Sequence, residues 1–121
     1  GGFSMGSVAT WRTFQYCLDY FRYFSPSSGN LTSDGQFMGD IVTDTGYDAD
    51  DFFIYAMSGT EDFAYSGFTA QIAAMAGLSN GVFVEADQER EGNLAYRVVE
   101  GNSHDHYAAT QYVYNMLCWL W

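Results

Sequence analysis

The sequence predicts an α/β protein: a parallel sheet with helices packed on both of its faces. Two observations carry this. Helical periodicities and short apolar runs alternate along the chain, in the order turn, helix, strand, helix, strand, helix, strand, helix. One run, Asp50-Asp51-Phe52-Phe53-Ile54-Tyr55-Ala56-Met57, is nearly continuous rather than alternating, as in a strand covered on both sides. The length of 121 residues, 48% hydrophobic and 19% aromatic, allows at most one domain and provides ample material for its core.

The first element is a turn. In Gly2-Phe3-Ser4-Met5-Gly6 a serine has glycine two residues away on either side, which suits a very sharp strand-to-helix bend where larger side chains would collide. From Ser7 to Tyr20 there is neither Gly nor Pro, and Val8, Trp11, Phe14, Leu18 and Phe21 recur at spacings of three and four. A helix with one buried face therefore follows the serine. Phe21-Arg22-Tyr23-Phe24 reads as a short buried strand that breaks into a loop at Pro26-Ser27-Ser28-Gly29. The polar stretch from Asn30 to Gly46 holds a weak helix around Phe37 to Thr43.

The long apolar strand ends at Ser58-Gly59-Thr60, and the loop beyond it carries Glu61 and Asp62. Phe68, Ile72 and Met75 mark a helix that stops at Gly77. Leu78 to Asn93 reads as an irregular, charged surface loop, Leu94 to Val99 as a strand, and Gly101-Asn102-Ser103-His104 as a loop. Ala109, Val113, Met116 and Leu120 give the buried stripe of a closing helix. No internal repeat and no domain linker interrupts this order.

Charge narrows the function. The net charge of -11, from 15 acidic and 4 basic residues, excludes nucleic acid and anionic membrane as partners, because phosphate binding needs clustered cations. Arg12, Arg22, Arg90 and Arg97 are scattered. No apolar run approaches the roughly 20 residues that span a bilayer. Cys17 and Cys118 lie in apolar helical patterns and read as buried free thiols. His104-Asp105-His106 lacks a third ligand at metal-binding spacing, and Asp40, Asp44, Asp48, Asp50 and Asp51 lack the calcium-loop pattern. No metal is expected.

The reactive candidates share one kind of position. Parallel sheets present their chemistry in loops at the carboxyl ends of strands, and Ser4, Asp62 and His104 each occupy such a loop. A serine hydroxyl is a poor nucleophile until a base takes its proton and a third group orients that base. The only histidines are His104 and His106, so His106 is the alternative base, and Glu61 is the alternative carboxylate. Ser4 also suits a simple helix cap. Trp11, Phe63, Tyr65 and Tyr107 flank the three candidates in sequence and fit either core packing or the wall of a sugar or phenol subsite.

The segments GGFSMGSVATW, YFSPSSG, DADDFFIYAMSGTEDFAY and VVEGNSHDHY resemble the carboxyl-terminal half of bacterial α/β-hydrolase serine esterases related to feruloyl and acetyl-xylan esterases. The resemblance covers nearly the whole chain and is weakest from Asp87 to Gly92. In that family the acid follows a G-T-x-D segment, here Gly59 to Asp62, and the base belongs to a G-x-x-H-D segment, here Gly101 to Asp105. The resemblance thus implies Ser4 as nucleophile, Asp62 as acid, His104 as base and the Met5 backbone N–H as an oxyanion donor. It implies a three-layer α/β-hydrolase fold and cofactor-free hydrolysis of acyl or feruloyl esters of plant polysaccharide, in a secreted or cell-surface bacterial setting. Acyl transfer by the same triad is the alternative reaction. It also implies that the strands before the serine, with a second oxyanion donor, lie outside this sequence. Residues 1–121 are then the carboxyl-terminal part of one catalytic domain, with its N-terminal half as partner or, on the alternative reading, an inactive piece.

Overall fold

A computed structural model of the chain describes residues 1–88 and 91–120. Arg90 and part of the loop predicted from Leu78 to Asn93 lie outside them. The strands are β1 (Gly2–Phe3), β2 (Tyr23–Phe24), β3 (Pro26–Ser27), β4 (Phe53–Gly59) and β5 (Leu94–Val99). The helices are α1 (Met5–Cys17), α2 (Gly35–Asp44), α3 (Tyr65–Ala76) and α4 (His106–Leu120). Every strand pairing is parallel. The strands fill four lanes in chain order: β1, then β2 and β3 end to end, then β4, then β5.

The second lane corrects an expectation. Pro26 was to end the strand, yet β3 resumes there in the same register against β4, with Tyr23 opposite Phe53 and Ser27 opposite Met57. Backbone hydrogen bonding explains it. The Ser25 and Ser27 carbonyls accept from Gly2 and Ser4 on the β1 side, whereas the Arg22 carbonyl and the Ser28 N–H pair with Phe53 and Met57 of β4. Alternation turns Pro26 towards β4, where its missing N–H interrupts one rung without ending the strand.

Two cores lie on opposite faces of the sheet. Strand β4 is buried along its whole length. Its Ile54 and Ala56 meet Trp11, Phe14, Met38, Val42, Phe68 and Ile72 of α1, α2 and α3. Its Phe53, Tyr55 and Met57 meet Ala108 and Tyr112 of α4. Helix α2 is longer than predicted, because Asp34 caps it by accepting from the Gln36 and Phe37 amides at 3.0 and 3.2 Å.

Four further expectations fail for packing reasons. The buried stripe of α4 runs through Ala108 and Tyr112, with Val113 exposed, so its first turns are one residue out of phase with the predicted stripe, whereas Met116 packs against the core as predicted. Cys118 therefore lies on the outward side and is exposed, while Cys17 is only half-buried. The segment before β5 is also not all surface, since Val82 and Phe83 enter the first core. Asn93 is buried with them, its amide donating to the Ala49 and Val82 carbonyls and accepting from the Val84 N–H. Finally, Phe21 is exposed, because α1 ends at Cys17, before the predicted stripe reaches it.

Candidate active site

Ser4 stands between β1 and α1 with φ 61 and ψ -115, a conformation that costs a non-glycine residue about 1–3 kcal/mol and must be imposed by its surroundings. They are visible. The Ser4 N–H donates to the Ser27 carbonyl at 2.9 Å, and its own carbonyl accepts from the Ser7 and Val8 amides. A Cβ on Gly2 would lie 2.4 Å from the Gly6 carbonyl oxygen, so the bend requires glycine there. Gly6 is different, because a Cβ at that position meets nothing within 4 Å. The crowding expected on both sides of the serine falls on Gly2 alone.

The three reactive candidates meet. His104 Nε2 lies 2.8 Å from Ser4 Oγ, and its Nδ1 lies 2.9 Å from both carboxylate oxygens of Asp62. The Asp62 side chain is wholly buried and that of His104 is 18% exposed. A buried carboxylate is tolerable only when paired, and Asp62 Oδ1 also accepts the Ala64 N–H at 2.8 Å. The imidazole touches two phenyl rings, Phe3 at 4.6 Å and Phe63 at 4.3 Å between centroids. Phe3 also lies 6.3 Å from the Tyr112 ring, where burial lifts the phenol above its ordinary pKa, and the Asp62 charge pushes the same way.

A cavity of about 430 Å³ opens beside Ser4 and His104. Met5 and Phe63, each 82% exposed, border it together with Val8, Asn30 and Ser66. Its far wall, the segment after β3, is pinned from two helices. The Gly29 carbonyl accepts from Ser7 Oγ at 2.6 Å and Trp11 Nε1 at 3.0 Å, and buried Gln71 of α3 accepts from the Leu31 and Thr32 amides. Sequence reasoning missed Ser7, Gly29 and Gln71, whose signals are a small hydroxyl, a glycine and a polar residue inside apolar helical stripes.

The remaining candidates divide. Trp11 is fully buried and belongs to the core rather than to the cavity wall. Tyr65 begins α3 outside the cavity lining, and Tyr107 is exposed beside His106, its ring 4.2 Å from that imidazole. Glu61 is exposed, and its amide donates to the Asn102 carbonyl. Asp105 caps α4 by accepting the Ala108 N–H at 2.9 Å. Among the described residues no three His, Cys, Asp or Glu side chains group as a metal site, and no helix is long and apolar enough to cross a membrane.

A parallel sheet between helical layers, with a serine on a strained turn after a strand, defines the α/β-hydrolase fold. Comparison with solved structures agrees. A serine-to-alanine mutant of the feruloyl esterase module from Clostridium thermocellum, complexed with sinapinate, is similar at a TM-score of 0.89 and 31% identity, over 98% of this chain and 44% of that one. S-formylglutathione hydrolase from Staphylococcus aureus shares the fold at a TM-score of 0.66 and 16% identity, over 98% of this chain and 52% of that one. In sequence the chain is similar to endo-1,4-beta-xylanase Y of Acetivibrio thermocellus, at 32% identity over 97% of this chain and 11% of the relative. The chain thus spans less than half of the esterase module and about a tenth of the xylanase. No protein-family model matches it.

Proposed function

We propose that this chain carries the reactive groups of a serine carboxylic-ester hydrolase acting on acyl or phenolic esters of plant polysaccharide. The observation that supports it best is the unbroken run of contacts from Ser4 Oγ through His104 to Asp62, at 2.8 and 2.9 Å. The Ser4 hydroxyl attacks the ester carbonyl carbon as His104 Nε2 takes its proton, and Asp62 holds the Nδ1–H and stabilises the imidazolium. The Met5 N–H donates to the oxyanion of the tetrahedral intermediate. As the ester C–O bond breaks, the imidazolium protonates the departing alcohol and the acyl group stays on Ser4 Oγ. Water then attacks that acyl carbon, yielding its proton to Nε2, and the serine recovers a proton as the acid leaves.

The substrate class is supported by the likeness to a feruloyl esterase module complexed with sinapinate and to a xylanase. The cavity suits such a group, with Phe63 and Met5 to cover an aromatic ring and Asn30 and Ser66 to meet its polar substituents. Residues 1–121 act as one part of such a catalytic domain, a reading supported by their match to 44% of the esterase module.

The test is covalent. A fluorophosphonate incubated with the chain and mapped by mass spectrometry is expected to give one adduct, on Ser4. An adduct on another serine, or equal labelling of the Ser4→Ala variant, removes the assignment.

A further inference from the structure

Asp62 and His104 sit on loops that leave two neighbouring strands, and the ladder between those strands ends with Gly59 opposite Val99. Proton transfer demands placement to within a fraction of an ångström, so the two loops must be fixed to one another beyond the end of the sheet. Apart from the Asp62–His104 contact itself, three hydrogen bonds among the described residues join them. The Thr60 N–H donates to the Val99 carbonyl at 3.2 Å, the Glu61 N–H to the Asn102 carbonyl at 3.0 Å, and the Gly101 N–H to Thr60 Oγ1 at 2.9 Å. The loops lie directly against each other, because a Cβ on Gly59 would come within 2.2 Å of the Asn102 carbonyl oxygen.

The first two bonds are made by backbone alone and survive side-chain substitution. The third ends on a side chain, and its donor matters. Gly101 has φ 86, so it is the point where the chain reverses after β5 on its way to His104. Holding its amide holds the reversal. Threonine suits the task, since branching at Cβ restricts χ1 and keeps the hydroxyl in one place. Thr60 is also the threonine of the G-T-x-D segment, two positions before the buried carboxylate.

We propose that Thr60 is a positioning residue: through the Gly101 amide it sets the His104 loop in register with the Asp62 loop, and so sets the distance from imidazole to carboxylate and to serine. It touches no reacting atom. The inference rests on the roles proposed above for Ser4, Asp62 and His104, and its test separates the two. Thr60→Val keeps the branched shape and removes the acceptor, whereas Thr60→Ser restores it. Three quantities are measured on each: hydrogen exchange of the Gly101 amide, the NMR signal of the His104 Nδ1 proton, and the rate of fluorophosphonate labelling.

In Thr60→Val, Gly101 exchange is expected to rise about tenfold, the Nδ1 signal to broaden, and labelling to slow about tenfold, with an unchanged unfolding midpoint. Thr60→Ser is expected to return all three to near the parent values. Parent-like exchange and labelling in Thr60→Val, or a serine variant as impaired as the valine one, would overturn the proposal. If the parent is not labelled at Ser4, the proposed reaction fails instead, and the Gly101 and Nδ1 measurements still decide whether Thr60 sets the loop.

Discussion

Both carboxylate oxygens of Asp62 lie 2.9 Å from Nδ1 of His104, although 42 residues separate the two in the chain. The carboxylate has no access to solvent, and it also accepts the Ala64 N–H. Such a group accepts hydrogen bonds and cannot donate them, so it selects the imidazole tautomer with the proton on Nδ1 and a free lone pair on Nε2, facing Ser4.

Replacing Asp62 by asparagine tests that selection. The amide is nearly the same size but can donate to Nδ1, which would move the proton to Nε2 and leave Ser4 without a base. The labelling rate of Ser4 by fluorophosphonate is expected to fall by about 10⁴-fold, the loss associated with the wrong tautomer, while far-ultraviolet circular dichroism stays unchanged. A loss below about tenfold would show that Asp62 does not orient the base.

The two glycines around Ser4 are expected to respond with opposite signs. In Gly2→Ala the new methyl would lie 2.4 Å from the Gly6 carbonyl oxygen, backbone that cannot swing away, so the turn opens. A destabilisation of at least about 1–3 kcal/mol and loss of Ser4 labelling follow. In Gly6→Ala the methyl meets open space inside a helix, where alanine is the better residue by about 0.5–1 kcal/mol. Urea unfolding of the two variants checks the pair of signs, and equal effects would contradict the account of the turn.

Much of this arrangement is legible in the sequence where burial or chain order leaves a single reading. The run from Phe52 to Met57 is apolar at every position, and all of it after Phe52 lies in the strand that is buried along its whole length. Ser4, Asp62 and His104 fall in loops after strands, and parallel pairing brings those loops to one rim. Several of the misses depend on which way a group faces, which the sequence does not say. Around α4 the stripes through Ala108 and Ala109 are both apolar, so periodicity cannot fix the phase. Pro26 keeps its strand because the rungs on either side of it still pair with β1 and β4. For Trp11 the choice between core and cavity wall is settled by the Gly29 carbonyl, an acceptor from another element.

That carbonyl gives a stability prediction. Trp11 fills the first core and also donates to Gly29, whose segment walls the cavity. Trp11→Phe keeps an aromatic ring but leaves a smaller volume and one lost donor, an expected cost of about 1–3 kcal/mol. Ser7→Ala removes only one of the two donors to the same oxygen, so about 0.5–1.5 kcal/mol is expected. The order of urea midpoints, parent above Ser7→Ala above Trp11→Phe, is the result to check.

Tyr96 provides a probe of the sheet at alkaline pH. Its phenol is half-buried on β5, and burial raises its pKa above the usual value, although the hydrogen bond with Thr69 at 2.8 Å pulls the other way. In the unfolded chain the same group ionises near about pH 10. Below that pH both states are protonated and Tyr96 gives stability no pH dependence. Above it, and up to the raised folded value, the unfolded state releases a proton that the folded state keeps, so stability falls as pH rises. Tyr96→Phe cannot ionise and is expected to show a shallower alkaline decline than the parent. The difference in tyrosinate absorbance between parent and variant isolates the group, and its midpoint should lie above the ordinary phenol value of about 10. A difference curve with its midpoint at or below about 10 would mean that Tyr96 is not held in its half-buried setting against Thr69 and Phe68 of α3.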